Sequence, residues 1–168
     1  MTVDTQQPDV LREEAHPKAR EALTDAFFWD TEDVGSPLGG DTGRDVLEAL
    51  RGAREEDPQG SLLAVLDEIL ARWEVANDSW DVVSEREVQI IGEDDEFSLL
   101  TRDEAILALA FAQLVVEGRV DAEIRRRALL ALTRQTLPAL LHGWGDKRLE
   151  RALRVERMRE ILARRWEW

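Results

Sequence analysis

Residues 105–116 read Ala-Ile-Leu-Ala-Leu-Ala-Phe-Ala-Gln-Leu-Val-Val, and no other stretch limits the fold as tightly. A run that is apolar on nearly every helical face is stable only where neighbours cover it all round. It is too short to cross a bilayer, which takes about 20 apolar residues. Thr101-Arg102-Asp103-Glu104 has the form of a capping box and Gly118 supplies a stop. The sequence therefore predicts a helix over 101–117 at the centre of the molecule.

A hub of this kind needs amphipathic partners, and the chain supplies them on both sides. Pro17 can sit in a first helical turn, followed by Ala19, Ala22, Leu23, Ala26 and Phe27 at helical spacing. A helix restarts at Thr42, where Thr42-x-x-Asp45 resembles a capping box and Val46, Leu47 and Leu50 form the buried stripe. Asp57-Pro58 opens another, with Leu62, Leu66, Ile69 and Trp73 along one face. Asp121 caps a helix whose Ile124, Ala128, Leu129 and Leu132 lie opposite Arg125, Arg126 and Arg127. Pro138 starts a short turn, and Asp146 caps a final helix in which Leu149, Leu153, Val155, Met158, Leu162 and Trp166 face inward.

Residues 77–100 follow a different pattern. Trp80, Val82, Val83, Val88, Ile90 and Ile91 favour a strand, so a short β-hairpin is expected near 80–100, with a strand at 87–91. With 168 residues, one domain suffices. The expected fold is a mainly α, single-domain helical bundle of six or seven helices. A flexible leader spans 1–16 and the helical domain spans 17–168.

Charge divides the chain in two. Residues 1–118 hold 9 Lys/Arg against 29 Asp/Glu, and residues 119–168 hold 13 against 7, within a total of −14. An acidic body over 17–118 is thus followed by a basic helical region over 119–168. Such a chain can close on itself, pair with a second copy as a homodimer, or meet two partners. The overall charge disfavours nucleic acid and anionic membranes and favours a cationic protein. There is no cysteine, which excludes disulfides, thiolate catalysis and cysteine zinc sites. The first residues lack the basic and apolar stretches of a signal peptide, and the cytoplasm is the expected compartment.

The loop from Phe27-Phe28-Trp29-Asp30 through Ser36-Pro37-Leu38-Gly39-Gly40-Asp41-Thr42-Gly43 is denser in aromatic, glycine and acidic residues than a connection requires. Its structural reading is that Trp29 and Leu38 plug the core while the glycines supply positive φ and Asp30 or Asp41 caps backbone amides. Its functional reading is a ligand or partner loop. This loop and the following Asp45-Val46-Leu47 resemble a motif of uncharacterised bacterial proteins of the YfeS type: Phe-Trp-Asp, then Ser-Pro-Phe-Gly-x-Asp-x-Gly. Leu38 stands where an aromatic residue is expected and Gly40 where an asparagine is expected. The resemblance implies a bacterial, intracellular protein and brings no activity, cofactor or catalytic residue with it.

No G-x-S-x-G, P-loop, dinucleotide fingerprint or H-E-x-x-H is present, and the only histidines are His16 and His142. The acids of the glycine-rich loop lack the spacing of an EF-hand, and no cofactor or metal is expected. The expected function is noncatalytic binding of a basic protein, as an immunity- or inhibitor-type module that neutralises a toxin domain. The expected partner-binding residues are Trp29, Asp30, Glu32, Asp33, Asp41, Asp45, Trp80, Glu93, Asp94, Asp95 and Glu96, with Trp29 and Trp80 as anchors. The alternatives are a carboxylate- or metal-dependent enzyme centred on residues 30–45 and a self-associating scaffold.

Overall fold

A computed structural model describes residues 7–166. Its regular elements are all helical: α1 (Gln7–Glu14), α2 (Pro17–Ala22), α3 (Gly40–Glu56), α4 (Leu62–Arg72), α5 (Glu85–Glu117), α6 (Ala122–Gln135), the four-residue α7 (Pro138–Leu141) and α8 (Arg148–Leu162). Short 3-10 turns at Ala26–Trp29 and His142–Lys147 complete it. The mainly α bundle is as expected, with seven helices of six residues or more among the described residues. Residues 1–6 of the leader lie outside the described part. Residues beyond them form α1, whose Leu11 joins the core together with the following Ala15.

The hub is where the apolar run placed it. Every residue from Ala105 to Val115 is buried. α3 and α6 pack along α5, α4 lies against both α3 and α5, and α8 closes over α6. Leu62, Leu66 and Ile69 of α4 are buried and Trp73 packs partly against the core. Gly118 ends α5 in the left-handed conformation, at φ 69°, with its N–H bonded to Leu114. A Cβ there would also run into the His16 ring, which caps α2 through its Nδ1.

The expected hairpin is absent: among the described residues there is no strand, and 87–91 is helical. Ser84 caps this segment, its hydroxyl accepting from the Glu87 N–H, and Glu85 and Glu87 occupy the first turn, where carboxylates suit the helix dipole. Of the apolar residues at 87–91 only Val88 is buried, so the apparent period of 2 did not mark a buried strand face. α5 also begins before Thr101. Its helical geometry breaks at Asp95 (φ −152°, ψ 79°), whose carboxylate accepts from the Ser98 N–H and restarts the helix. Asp95, rather than Thr101, is therefore the cap of the hub.

The irregular link before α5 is held by two buried arginines. Arg102 Nη1 donates to the Ala76 carbonyl at 2.9 Å, and Arg134 Nη1 donates to the Trp80 and Val82 carbonyls at 2.8 and 2.9 Å. Carbonyls that a hairpin would have paired are satisfied by guanidinium groups instead. Arg134 also meets Asp103 of the hub at 2.8 Å, both side chains fully buried, and Gln135 donates to the same carboxylate. Burial raises the Asp103 pKa, and the Arg134 and Gln135 hydrogen bonds oppose that rise.

The register of α8 also differs from the expectation. Leu149 and Leu153 are 74% and 64% exposed, while Arg151, Val155, Met158 and Leu162 take the inner face. Several helix starts shift as well. Gly39 rather than Thr42 precedes α3, Ser61 rather than Asp57 caps α4, and Lys147 rather than Asp146 precedes α8.

Removing one partner of a buried ion pair leaves the other charged and unmatched, so Arg134→Met is expected to cost about 3–5 kcal/mol. Urea denaturation at neutral pH measures this. The double variant Asp103→Leu/Arg134→Leu should lose clearly less than the sum of its two single changes.

Candidate functional site

The expected site residues fall in the loop between α2 and α3 and the first turns of α3, at Trp80 in the link before α5, and at the kink within α5. In the loop, most carboxylates are used locally. Asp30 accepts from the Glu32 N–H at 3.0 Å and Asp33 from the Gly35 N–H at 2.8 Å, both turn-forming bonds. Asp33 also pairs with Arg154 of α8 at 2.6 Å, and Asp41 pairs with Arg44 one turn along α3. Asp45 is exposed on α3 and lines a shallow depression with Glu48, Ala49, Arg72 and Trp73. Among the described residues, no three His, Asp or Glu side chains come together as they would to hold a metal ion.

The glycines of this loop serve close packing more than positive φ. A Cβ on Gly39 would overlap the Asp33 carbonyl, and one on Gly43 would overlap the Leu38 backbone. Only Gly40 has a positive φ, 70°. These contacts press the loop onto the first turn of α3, where Thr42 and Glu104 of the hub line the same small cavity.

The expected aromatic anchors are core residues. Trp29 is buried and donates from Nε1 to the Leu23 carbonyl at 2.8 Å. Trp80 is buried too, donating to Asn77, with the Arg102 and Arg127 guanidinium groups 5.6 and 4.9 Å from its ring centre. Neither is placed to meet a partner.

The start of α5 presents a different surface. Glu85, Glu87, Glu93, Asp94 and Glu96 are exposed, and none of them enters an ion pair among the described residues. Asp95, also exposed, is the cap of the following helix, and hydrogen bonds from Ser98 lower its pKa. On either side of this kink Ile90 is 56% and Phe97 64% exposed. The four expected acids are therefore on the surface, and the apolar members of the patch are Ile90 and Phe97, which the strand assignment concealed.

Opposite the loop, the basic C-terminal region folds back onto the acidic body. Besides Asp33–Arg154, Arg157 pairs with Asp25 at 3.3 Å and Arg126 with Asp81. Between loop and α8 lies a cleft of about 320 Å³ walled by Val34, Gly35, Trp144, Lys147, Arg151 and Arg154, with acids at its rim. A cavity of about 30 Å³ lies next to it, with Ser36, Thr42, Glu104 and Arg151 among its walls. The Arg151 guanidinium donates to the Gly35 carbonyl at 3.1 Å and stands 4.6 Å from the Trp144 ring centre. Burial lowers its pKa to about 10, against the attraction of Glu104. Burial likewise raises the pKa of Glu104, although its side chain reaches solvent, and Arg151 and Thr42 pull it back. The spacing of Arg151 from Val155, Met158 and Leu162 could have revealed its inward position; the leucines at 149 and 153 drew the stripe instead.

Burial works to raise the pKa of Asp33, but Arg154 and the Gly35 N–H outweigh it, leaving it below the ordinary 3.8. A depressed carboxylate pKa stabilises the fold above the unfolded value, and the gain fades as pH falls through the folded one. Asp33→Asn should therefore be less stable at neutral pH and show a smaller further loss on acidification below about pH 4. Thermal melts from pH 7 to pH 2 check both points.

No protein-family model matches the chain, and no solved structure matches it. Among curated proteins it is similar to "Uncharacterized protein YfeS" of Escherichia coli (strain K12), with 29% identity over 138 residues. That alignment covers 79% of this chain and 54% of the relative, so the chain spans about half the length of the curated protein it matches. The YfeS-type resemblance first visible in residues 27–47 thus extends over most of the chain, as a similarity to a protein whose name states no activity.

Proposed function

We propose that the protein is a noncatalytic binding module for a basic protein, of the inhibitor or immunity type, acting in the bacterial cytoplasm. One observation carries this reading: the kinked start of α5 exposes Ile90 and Phe97 among carboxylates that have no ion-pair partner among the described residues. Basic side chains of the C-terminal region are paired with Asp25, Asp33 and Asp81, so internal closure uses other acids and leaves this patch unneutralised.

The two kinds of side chain have separate roles. Clustered carboxylates steer a cationic surface into encounter and reject anionic competitors such as nucleic acid. An exposed aromatic at the centre of such a patch supplies the apolar contact that slows dissociation. A toxin domain rich in lysine and arginine is a partner of this chemistry. No membrane partner is expected; among the described residues no helix is long and apolar enough to cross a membrane.

The test is to capture basic proteins from a bacterial lysate on the immobilised chain and titrate the captured protein against variants. The wild type should retain one basic protein stoichiometrically and release it as salt rises. Glu93→Lys/Asp94→Lys/Glu96→Lys and Phe97→Ser should each weaken binding about tenfold or more. Equal affinity for wild type and both variants would contradict the assignment.

A further inference from the structure

The cavity beneath the loop has two buried donors that nothing among the described residues satisfies. Ser36 and Arg151 are only 5% and 6% exposed, and neither the Ser36 Oγ nor the Arg151 Nε has a hydrogen-bond partner. A buried polar group left unmatched costs about 1–3 kcal/mol, and such groups are rare in folded proteins. Arg151 Nη1 is committed to the Gly35 carbonyl, while Nη2 has only a 3.5 Å contact with Gln135. The Nε–Nη2 edge of the guanidinium is thus the part left available, and it is the edge that accepts a carboxylate side-on.

Another wall of the cavity has the opposite character. Glu104 lines it, with Thr42 beside it, and its carboxylate oxygens are acceptors. It forms no salt bridge with Arg151, although each senses the charge of the other. Donors and an acceptor thus line one cavity without meeting. A simple anion would satisfy Arg151 and Ser36 and be repelled by Glu104; an amine would do the reverse. A zwitterion satisfies both.

The dimensions suit a small head group with a longer body. The cavity, about 30 Å³, admits about two waters or a few heavy atoms. It shares Val34, Gly35 and Arg151 as walls with the 320 Å³ cleft. There the acids Asp33 and Glu150 are paired with Arg154, while Val34 and Trp144 offer apolar surface.

We propose that cavity and cleft form a site for a free α-amino acid with an apolar side chain. Its carboxylate is held by Ser36 Oγ and Arg151 Nε, its ammonium by Glu104, and its side chain lies over Val34 and Trp144. This site is separate from the acidic patch at the start of α5, and either assignment can fail without the other.

The test is calorimetric titration and thermal melting of the full chain with L-leucine, acetate and methylamine. L-Leucine should bind and raise the melting temperature, while acetate and methylamine, each half of the zwitterion, should bind at least about tenfold more weakly. Ser36→Ala and Glu104→Gln should each weaken L-leucine about tenfold. Both should keep the cooperative melt of the unliganded protein, since the Ser36 hydroxyl has no partner to lose among the described residues and the exposed Glu104 is replaced by a side chain of nearly the same shape. The proposal is overturned if L-leucine at about 10 mM produces neither heat nor a melting shift, which would leave the cavity to water. It is equally overturned if acetate binds as tightly as L-leucine and Glu104→Gln changes nothing.

Discussion

The ion pair between Asp103 and Arg134 is the interaction on which the rest of the structure depends. Both side chains are fully buried, and the guanidinium divides its donors between the carboxylate of the hub and two carbonyls of the link that precedes α5. A charge pair in such a place offsets its desolvation only if every remaining donor and acceptor is matched. Gln135 supplies a further bond to Asp103, and Arg151 touches Gln135 in turn. One network therefore joins α5, α6, α8 and the irregular link. It also fixes the chain just before α5, because Ser84, the cap of its first turn, stands two residues after Val82, whose carbonyl Arg134 holds.

That dependence explains which parts of the fold could be read from the sequence. The hub, its stop at Gly118 and the inner faces of α3, α4 and α6 follow from apolar spacing, which reports burial directly. The start of α5 does not, because Val88, Ile90 and Ile91 alternate like a strand while the cap at Ser84 lies outside the apolar pattern. The register of α8 was hidden for a related reason. Arg151 occupies an inner position because its guanidinium has the Gly35 carbonyl to bond, and no pattern that treats arginine as solvent-facing can show this. Trp29 and Trp80 are core residues for the same kind of reason: each ring N–H has a partner inside the protein.

The division of charge along the chain resolves into two roles. The basic C-terminal region pairs with Asp25, Asp33 and Asp81, so part of the acidity of the body is answered internally. Surface pairs of this sort contribute little individually, about 0–1 kcal/mol. They nevertheless hold α8 against the loop and shape the cleft containing Trp144. Among the described residues the acids around the Asp95 kink have no such answer, and they flank exposed Ile90 and Phe97. For the binding proposed above, a rigid support for that patch matters, since a preformed surface avoids the ordering cost that a disordered acidic segment would meet.

The claim that the buried pair preforms the acidic patch is tested most directly by hydrogen exchange in the free protein. Amides of residues 87–94 should be protected in the wild type and lose that protection in Arg134→Met, while those of the hub at 105–115 remain the slowest to exchange in both. Free exchange of 87–94 in the wild type, or unchanged protection in the variant, would contradict the account.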